Sequence, residues 1–146
     1  MHDITLKVHK LNPAAHLPKR ANPGDSGLDL TYAGQKPIVI WAGMRALVPT
    51  GIALEVPRGW EIQIRPRSGL ALKHGITVLN TPGTIDSGYR GEVGVILINT
   101  SQETVTIKPG DKIAQAVPAW VPAVEVEEVE ELSDSVRGAG GFGSTG

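Results

Sequence analysis

Glycine and proline interrupt this chain so often that long regular elements are excluded. The 146 residues contain 18 glycines and 11 prolines spread along the whole length. Between them, apolar and polar residues alternate, as in Ile4, Leu6 and Val8 with their polar neighbours and again over residues 60–64. Successive side chains of a strand point to opposite faces, so this pattern predicts many short, half-buried strands. We therefore expect an all-β fold of the sandwich, barrel or jelly-roll kind.

Turn residues separate the expected strands. Residues 57–59 (Pro-Arg-Gly) and 108–111 (Lys-Pro-Gly-Asp) have compositions typical of turns. Residues 93–99 are almost wholly apolar, which predicts a strand buried on both faces. Residues 124–131 place valines among glutamates, which predicts a solvated edge strand protected by its charge.

One segment departs from the β pattern. Residues 68–75 start with Ser68, a good N-cap residue, contain helix formers and end with a basic pair before Gly75. This predicts a helix of at most two turns. Arg65 and Arg67 precede it, and guanidinium groups at a helix N-terminus can form an anion site. An ordinary capped helix beside two surface charges explains the same residues.

The composition excludes several classes of function. The formal net charge is −1, from 14 basic and 15 acidic residues, so a polyanion has to be bound by a local cluster of cations. The chain has no cysteine, which excludes disulfides and thiol catalysis. It shows no signal-peptide pattern and no apolar segment of membrane-spanning length. We expect one soluble cytoplasmic domain with neither nucleic acid nor membrane as a partner.

The last ten residues contain five glycines and the only phenylalanine, Phe142. Burying a phenylalanine stabilises a core by roughly 1.5–3 kcal/mol, yet the residues around Phe142 are too small to pack against it. Arg137, Ser144 and Thr145 add a guanidinium and two hydroxyls, a set that suits a nucleotide. A frayed terminus explains the same glycines. The Gly-x-Gly-x-x-Gly spacing here is not a dinucleotide fingerprint, because no helix can follow it.

Three aspartates stand in turn-rich segments and allow two interpretations. Asp25 and Asp29 are either ordinary turn residues or anchors for a hydrated Mg²⁺. Asp86 precedes a Ser-Gly turn, with Tyr89 after it. Its carboxylate either satisfies the turn's own N–H groups or serves as a general base.

Five separate blocks, in the same order and spread over nearly the whole chain, make the sequence resemble the trimeric dUTPase (dUTP pyrophosphatase) family. The blocks are residues 21–30, 66–69, 83–92, 110–115 and 137–146. One block alone would be unspecific, whereas five in order, including the unusual C-terminal block, are highly specific. Ser26 departs from the family pattern, which often has alanine there, and Arg65 stands where the family often has an apolar residue.

The resemblance implies a β jelly roll with one short helix, residues 1–136, followed by a flexible glycine-rich lid, residues 137–146. It also implies a homotrimer whose active sites are shared between subunits. The implied reaction is hydrolysis of dUTP to dUMP and pyrophosphate with Mg²⁺ on the triphosphate, which lowers dUTP and supplies dUMP for thymidylate synthesis.

The resemblance also implies a role for each matching residue. Asp86 is the implied base that deprotonates the attacking water, and Ser68 the implied donor to the oxygen between the α- and β-phosphates. Tyr89 is implied to pack under the deoxyribose and exclude a 2′-hydroxyl, and Phe142 to cover the uracil. Asp29 is implied to hold Mg²⁺ through a bound water. The remaining implied substrate-binding residues are Arg67, Gly69, Asn80, Gly83, Thr84, Ile85, Gln115, Arg137, Gly143, Ser144 and Thr145.

Two other activities fit part of the pattern. A dCTP deaminase, or a bifunctional relative of one, shares the Ile-Asp part of residues 83–92. The Pro-Arg-Ser-Gly block at residues 66–69 and the complete C-terminal block favour the hydrolase over it. A non-catalytic trimer that senses dUTP would bind the nucleotide equally well, but it would not need Asp86 as a base.

Overall fold

The computed structural model describes residues 3–146 and confirms a mainly β architecture with one short helix. The elements in chain order are β1 (Lys7–Lys10), β2 (Leu28–Thr31), β3 (Ile38–Ile40), β4 (Arg45–Glu55), β5 (Trp60–Arg65), α1 (Ser68–His74), β6 (Ile76–Val78), β7 (Gly83–Ile85), β8 (Glu92–Asn99), β9 (Val105–Ile107) and β10 (Lys112–Trp120). In the described part of the chain no helix has the length and apolarity that a membrane crossing needs.

Two four-stranded sheets and one strand pair make up the fold. The first sheet has the order β1-β4-β8-β6, the second has the order β2-β10-β5-β7, and β3 pairs with β9. All of these pairs are antiparallel. Neighbours in each sheet are distant in sequence, so the chain crosses repeatedly between the sheets. Buried residues of both sheets, such as Val95 and Ile62, belong to one hydrophobic cluster between them.

Strand β8 shows how the core is built and corrects one expectation. Val93, Val95, Leu97 and Asn99 are buried, whereas the residues between them are partly exposed. The prediction that residues 93–99 are buried on both faces is therefore wrong for the single chain. The reason is that only one face of β8 meets the second sheet, while residues 3–146 leave the outer face partly exposed.

The predicted turns are confirmed. Residues 57–59 connect β4 to β5, with Gly59 at a φ of 84°. Residues 108–111 connect β9 to β10, where the Lys108 N–H donates to Asp111 Oδ2 at 2.8 Å. Gly59 adopts a left-handed φ that is costly for residues with a side chain, so a glycine there favours the tight connection.

Helix α1 occupies the predicted segment but starts differently. Its N-cap is Arg67, in extended conformation and without a side-chain capping bond, so the prediction of Ser68 as N-cap is wrong. The Ala71 N–H already bonds to the Arg67 carbonyl, which makes Ser68 the first helical residue. Gly75 ends the helix with a φ of 64°, as predicted.

The acidic segment forms no strand, so the predicted edge strand over residues 124–131 is wrong. The last strand of the described chain, β10, ends at Trp120. The alternation of valine and glutamate breaks at the adjacent pair Glu127 and Glu128. A strand exposes alternate faces, so this break leaves too short an apolar face to hold the segment on a sheet.

Asn99 is a buried polar residue whose side chain binds both the end of β3 and the loop between β8 and β9. Its Nδ2 donates to the carbonyls of Ile40, at 2.9 Å, and Glu103, at 2.7 Å. Its Oδ1 accepts from the N–H and the hydroxyl of Ser101, at 3.0 and 2.7 Å. The side chain is completely buried, so these bonds replace the water that the amide loses.

We expect Asn99→Ala to lower the free energy of unfolding by about 2–4 kcal/mol, because it removes the four hydrogen bonds of a fully buried amide and takes this donor from the Ile40 carbonyl. Urea denaturation at a fixed protein concentration measures this. Gln102→Ala, an exposed change in the following loop, is the control and should shift stability by less than about 0.5 kcal/mol. Equal stability of the two variants would show that the Asn99 network contributes nothing.

Candidate active site

A first pocket of about 240 Å³ collects six of the residues selected from the sequence. It lies where β5, β6, β7 and β8 meet, and its apolar floor includes Ile64 and Val95. The six residues are Asn80, Gly83, Thr84, Ile85, Asp86 and Tyr89. A small pocket with an apolar floor and a few polar groups is the usual form of a ligand site.

Strand β7 presents main-chain groups to this pocket. It is the edge strand of the second sheet and, among the described strands, pairs only with β5, with Gly83 opposite Ile64. The N–H and C=O groups on its other side therefore have no strand partner within residues 3–146. A Cβ on Gly83 would lie 3.3 Å from Ile64 Cβ and 3.5 Å from Asn80 Nδ2, so glycine keeps this corner open. Free main-chain groups beside an amide can bind a planar ring that carries both donors and acceptors.

Asp86 and Tyr89 border the same pocket at the turn after β7. The Tyr89 N–H bonds to the Asp86 carbonyl at 3.1 Å, which closes the turn. The Asp86 carboxylate is exposed, and within residues 3–146 it has no hydrogen bond or ion pair. Its expected alternative role, satisfying the N–H groups of its own turn, is therefore not seen. A carboxylate free in this way can accept a proton from a bound water.

A second pocket, of about 320 Å³, collects another five of the selected residues. These are Asp29, Arg67, Ser68, Gly69 and Gln115, which come from β2, the start of α1 and β10. Pairing of β2 with β10 places Gln115 opposite Asp29. The Gln115 side chain donates from Nε2 to the Pro66 carbonyl at 3.0 Å, which ties β10 to the segment leading into α1.

Charge in the second pocket is organised around Asp29. Its Oδ2 lies 2.9 Å from Lys112 Nζ and its Oδ1 lies 3.4 Å from Arg67 Nε. Arg67 also donates from Nη1 to the Lys112 carbonyl at 3.3 Å. The Asp29 side chain is only 15% exposed, so both cations hold it in a fixed position. Sequence reasoning gives no role to Lys112, although its position inside the block of residues 110–115 was a usable signal.

Arg65 has a partner outside this pocket. Its Nε and Nη2 donate to Gln63 Oε1 at 3.1 and 2.6 Å. Gln63 in turn donates from Nε2 to Glu61 Oε1 at 2.7 Å, which forms a polar row along β5. The described Arg65 side chain therefore binds its own strand and lines neither pocket.

The metal expected at Asp29 can be compared with the groups around it. Nowhere in residues 3–146 do three or more histidine, aspartate or glutamate side chains come together as a metal site. Mg²⁺ prefers oxygen ligands and commonly keeps several waters, with substrate phosphates completing its shell. Asp29 offers oxygens beside the second pocket, but both are paired with cations. These residues fit a metal held through water better than one bound directly.

The C-terminal residues do not join either pocket within the single chain. Arg137 donates from Nε to the Gly140 carbonyl at 2.8 Å, and the Gly138 N–H donates to Ser135 Oγ at 3.0 Å. The Phe142 side chain is fully exposed. Gly143, Ser144 and Thr145 are also exposed. The structure thus gathers the selected residues into three groups: the first pocket, the second pocket, which shares no lining residue with it, and the C-terminal segment.

Comparison with known proteins decides the family. A family model described as dUTPase matches residues 13–146, nearly the whole chain. The chain belongs to the dUTPase family. This agrees with the resemblance carried by the five sequence blocks.

Individual members of the dUTPase family align with this chain over almost its full length. The deoxyuridine 5′-triphosphate nucleotidohydrolase of Gloeothece citriformis is 62% identical, over 98% of this chain and 97% of that protein. The enzyme of the same name from Clostridium acetobutylicum is 58% identical over the same shares. The dUTPase of Staphylococcus bacteriophage 80alpha, solved with dUPNHPP, superposes with a TM-score of 0.89 at 28% identity, over 97% and 98% of the two chains. These names favour the hydrolase over the deaminase alternative.

We expect Lys112→Met to destabilise this dUTPase-family fold by about 1–2 kcal/mol, because the nearly buried Asp29 carboxylate loses its shorter ion pair. Urea denaturation gives the value. Lys108→Met is the matched control, because Lys108 is exposed and its ammonium has no ion pair in the described chain. A loss of stability no larger than that of the control would contradict the role given to Lys112.

Proposed function

We propose that this chain hydrolyses dUTP to dUMP and pyrophosphate in the cytoplasm, by attack of water on the α-phosphorus. The observation that carries the proposal is the unpartnered Asp86 carboxylate, which borders a pocket suited to a planar base. The names of its close relatives support the same reaction. The reaction lowers the concentration of dUTP and supplies dUMP for thymidylate synthesis.

The first pocket suits recognition of uracil. Uracil carries donors and acceptors on one edge in a peptide-like pattern, so the free main-chain side of β7 can bind it, with the Asn80 amide as a further partner. Thymine differs only by a 5-methyl group. Additional favourable contacts cannot reject that methyl, whereas a close wall can. The pocket is narrow around Gly83, where even a Cβ would touch Ile64 and Asn80.

Three side chains have separate roles in the proposed chemical step. The Asp86 carboxylate orients the attacking water and takes its proton. The Ser68 hydroxyl donates to the oxygen that bridges the α- and β-phosphates as the bond to phosphorus breaks. Arg67 stabilises the charge that builds on the phosphate oxygens, because its guanidinium is already held in place by Asp29 and Lys112.

Mg²⁺ accompanies the triphosphate in this proposal. When bound, it neutralises part of the negative charge on the phosphate oxygens. Asp29 would hold the ion through a water molecule, while its own oxygens stay paired with Arg67 and Lys112. A structure described for a dUTPase variant from a Staphylococcus aureus phage, 27% identical with a TM-score of 0.80 over 88% of this chain and 98% of that one, includes a structural Mg(II) ion.

We further propose a homotrimer in which each site is completed by neighbouring subunits. Three features of the single chain support this assembly. The two pockets share no residue, and the C-terminal segment reaches neither of them. The outer face of the first sheet also leaves apolar residues uncovered, with the 67% exposed Leu47 paired with the partly exposed Ile96. In the trimer, the first pocket of one subunit would face the second pocket of another, and residues 137–146 would close over both.

The proposed lid has a simple physical basis. Its glycines raise the entropy that ordering must overcome, so it would close only when a triphosphate provides contacts. Arg137 would then bind phosphate, with Gly143, Ser144 and Thr145 offering N–H and hydroxyl donors. Phe142 would stack on the uracil, an interaction worth roughly 1–3 kcal/mol for aromatic side chains on bases.

The decisive experiment incubates the protein with Mg²⁺ and each deoxynucleoside triphosphate in turn, and measures pyrophosphate. Release from dUTP alone supports the proposal. Release of ammonia from dCTP would support the deaminase alternative instead. Tight dUTP binding without any pyrophosphate would support the sensing trimer.

We predict that Asp86→Asn retains dUTP binding but lowers kcat by at least about 10²-fold, because an amide cannot take the proton from water. Steady-state kinetics and isothermal titration calorimetry separate the two effects. Glu103→Gln removes a carboxylate from an exposed loop outside both pockets and serves as the control. Unchanged turnover in Asp86→Asn would remove Asp86 from the base role.

We predict that deletion of residues 138–146 leaves the melting temperature nearly unchanged and lowers kcat/KM for dUTP by at least about 10²-fold. None of these residues is buried, so their loss should not affect the core. The single change Phe142→Ala should cause a smaller loss, about 5–150-fold, because it removes only the stacking contact. Full activity of the truncated chain would contradict the lid.

A further inference from the structure

Gly91 lies directly against the ring of Tyr89. A Cβ built on Gly91 would lie 2.5 Å from Tyr89 Oη, 2.7 Å from Cζ and 3.1 Å from Cε2. Ordinary contacts between carbon atoms are about 3.5–4.0 Å. The ring therefore occupies the space that any side chain at position 91 would need.

The backbone itself does not require glycine at this position. Gly91 is not among the residues with positive φ, so an L-amino acid could adopt its conformation. Glycine is thus favoured here because it leaves room for the Tyr89 ring. This distinguishes Gly91 from Gly59 and Gly75, whose left-handed conformations favour glycine by themselves.

A hydrogen bond holds the far end of the same ring. Tyr89 Oη donates to the Glu92 carbonyl at 2.8 Å. The hydroxyl end of the ring is thereby fixed in two ways: Oη is bound to the main chain, and Oη and Cζ fill the space beside Gly91 that a Cβ would need. About half of the side chain stays exposed, at 44%, and it borders the first pocket together with Asn80 and Asp86.

We propose that Gly91 is a positioning residue for sugar selectivity: it lets the hydroxyl end of the Tyr89 ring lie close to the main chain and so sets the wall that excludes a 2′-hydroxyl. This inference rests on the proposed dUTPase function and on the placement of Tyr89 under the deoxyribose. A 2′-hydroxyl adds a single heavy atom to the sugar. A wall that rejects one atom has to stay in place to within about 1 Å, which a ring held at its hydroxyl end can do.

A methyl group at position 91 would remove this fixation. The ring would have to move by about 1 Å to restore ordinary contact distances. The closest contact is with Oη itself, so the same movement disturbs the 2.8 Å hydrogen bond from Oη to the Glu92 carbonyl. A displaced and unanchored ring no longer forms a fixed wall, and ribonucleotides gain access to the pocket.

The test compares kcat/KM for dUTP and for UTP in matched variants. We expect Gly91→Ala to lower the ratio of the dUTP value to the UTP value by at least about tenfold relative to the unaltered protein. Gly88→Ala is the control in the same loop. Gly88 also lacks a positive φ, and a Cβ there would have nothing within 4 Å. Its ratio should equal that of the unaltered protein.

Tyr89→Phe provides an independent second variant, since it removes only the hydroxyl that binds Glu92. It should lower the same ratio in the same direction, and if Gly91→Ala fails to fold by circular dichroism, it tests the fixed ring on which the inference depends. The inference is overturned if the unaltered protein hydrolyses dUTP and the folded variants keep its ratio, even when their overall rates fall. Absence of dUTP hydrolysis in the unaltered protein would instead overturn the proposed function, so the two failures are distinguishable.

Discussion

The pairing of β5 on both of its sides holds the two pockets in their places. On one side Ile64 lies opposite Gly83 in β7, and on the other Arg65 lies opposite Gln115 in β10. Ile62 and Ile64 are buried in the core, so a slip of one residue would turn them to solvent. The buried face of β5 therefore determines the register of both neighbours. Through them it determines where the free edge of β7 and the segment that leads into α1 lie.

Charge in this protein acts locally. The chain as a whole is nearly neutral, so no long-range field draws in a triphosphate. Asp29, Arg67 and Lys112 instead form a compact group of alternating charge beside Ser68. Such a group holds a guanidinium ready for an incoming anion and avoids the repulsion that two unpaired cations would have. The cost of reorganising the site when charge develops is reduced accordingly.

Prediction from the sequence succeeded where a local rule decides the outcome. Gly59 and Gly75 adopt left-handed conformations for which glycine is the favoured residue, and both positions were predicted from turn and cap patterns. Prediction from the sequence failed where the burial of a segment depends on how distant elements pack against it. The outer face of residues 93–99 is partly exposed because the second sheet covers only one side. Residues 124–131 have valines at strand spacing for too short a stretch, and no sheet of the chain takes them up.

The candidate site also divides into features that the sequence predicts and features that depend on packing. The five sequence blocks selected residues, such as Asp86 and Ser68, that the structure places beside the first and the second pocket. They could not indicate that Lys112 neutralises Asp29, because that contact joins β10 to β2 across the sheet. Nor could they show why residue 91 is glycine, since the reason is the position of the Tyr89 ring.

The sequence by itself determined the all-β class, the main turns and the family, because these depend on short-range patterns and on residue identity. The tertiary structure alone decided the grouping of the selected residues into two separate pockets and an exposed C-terminal segment. It also decided which contacts hold Arg67 in place. The physical reason is that these groupings arise from pairings between strands distant in the chain, and their register is set by the burial of a shared core.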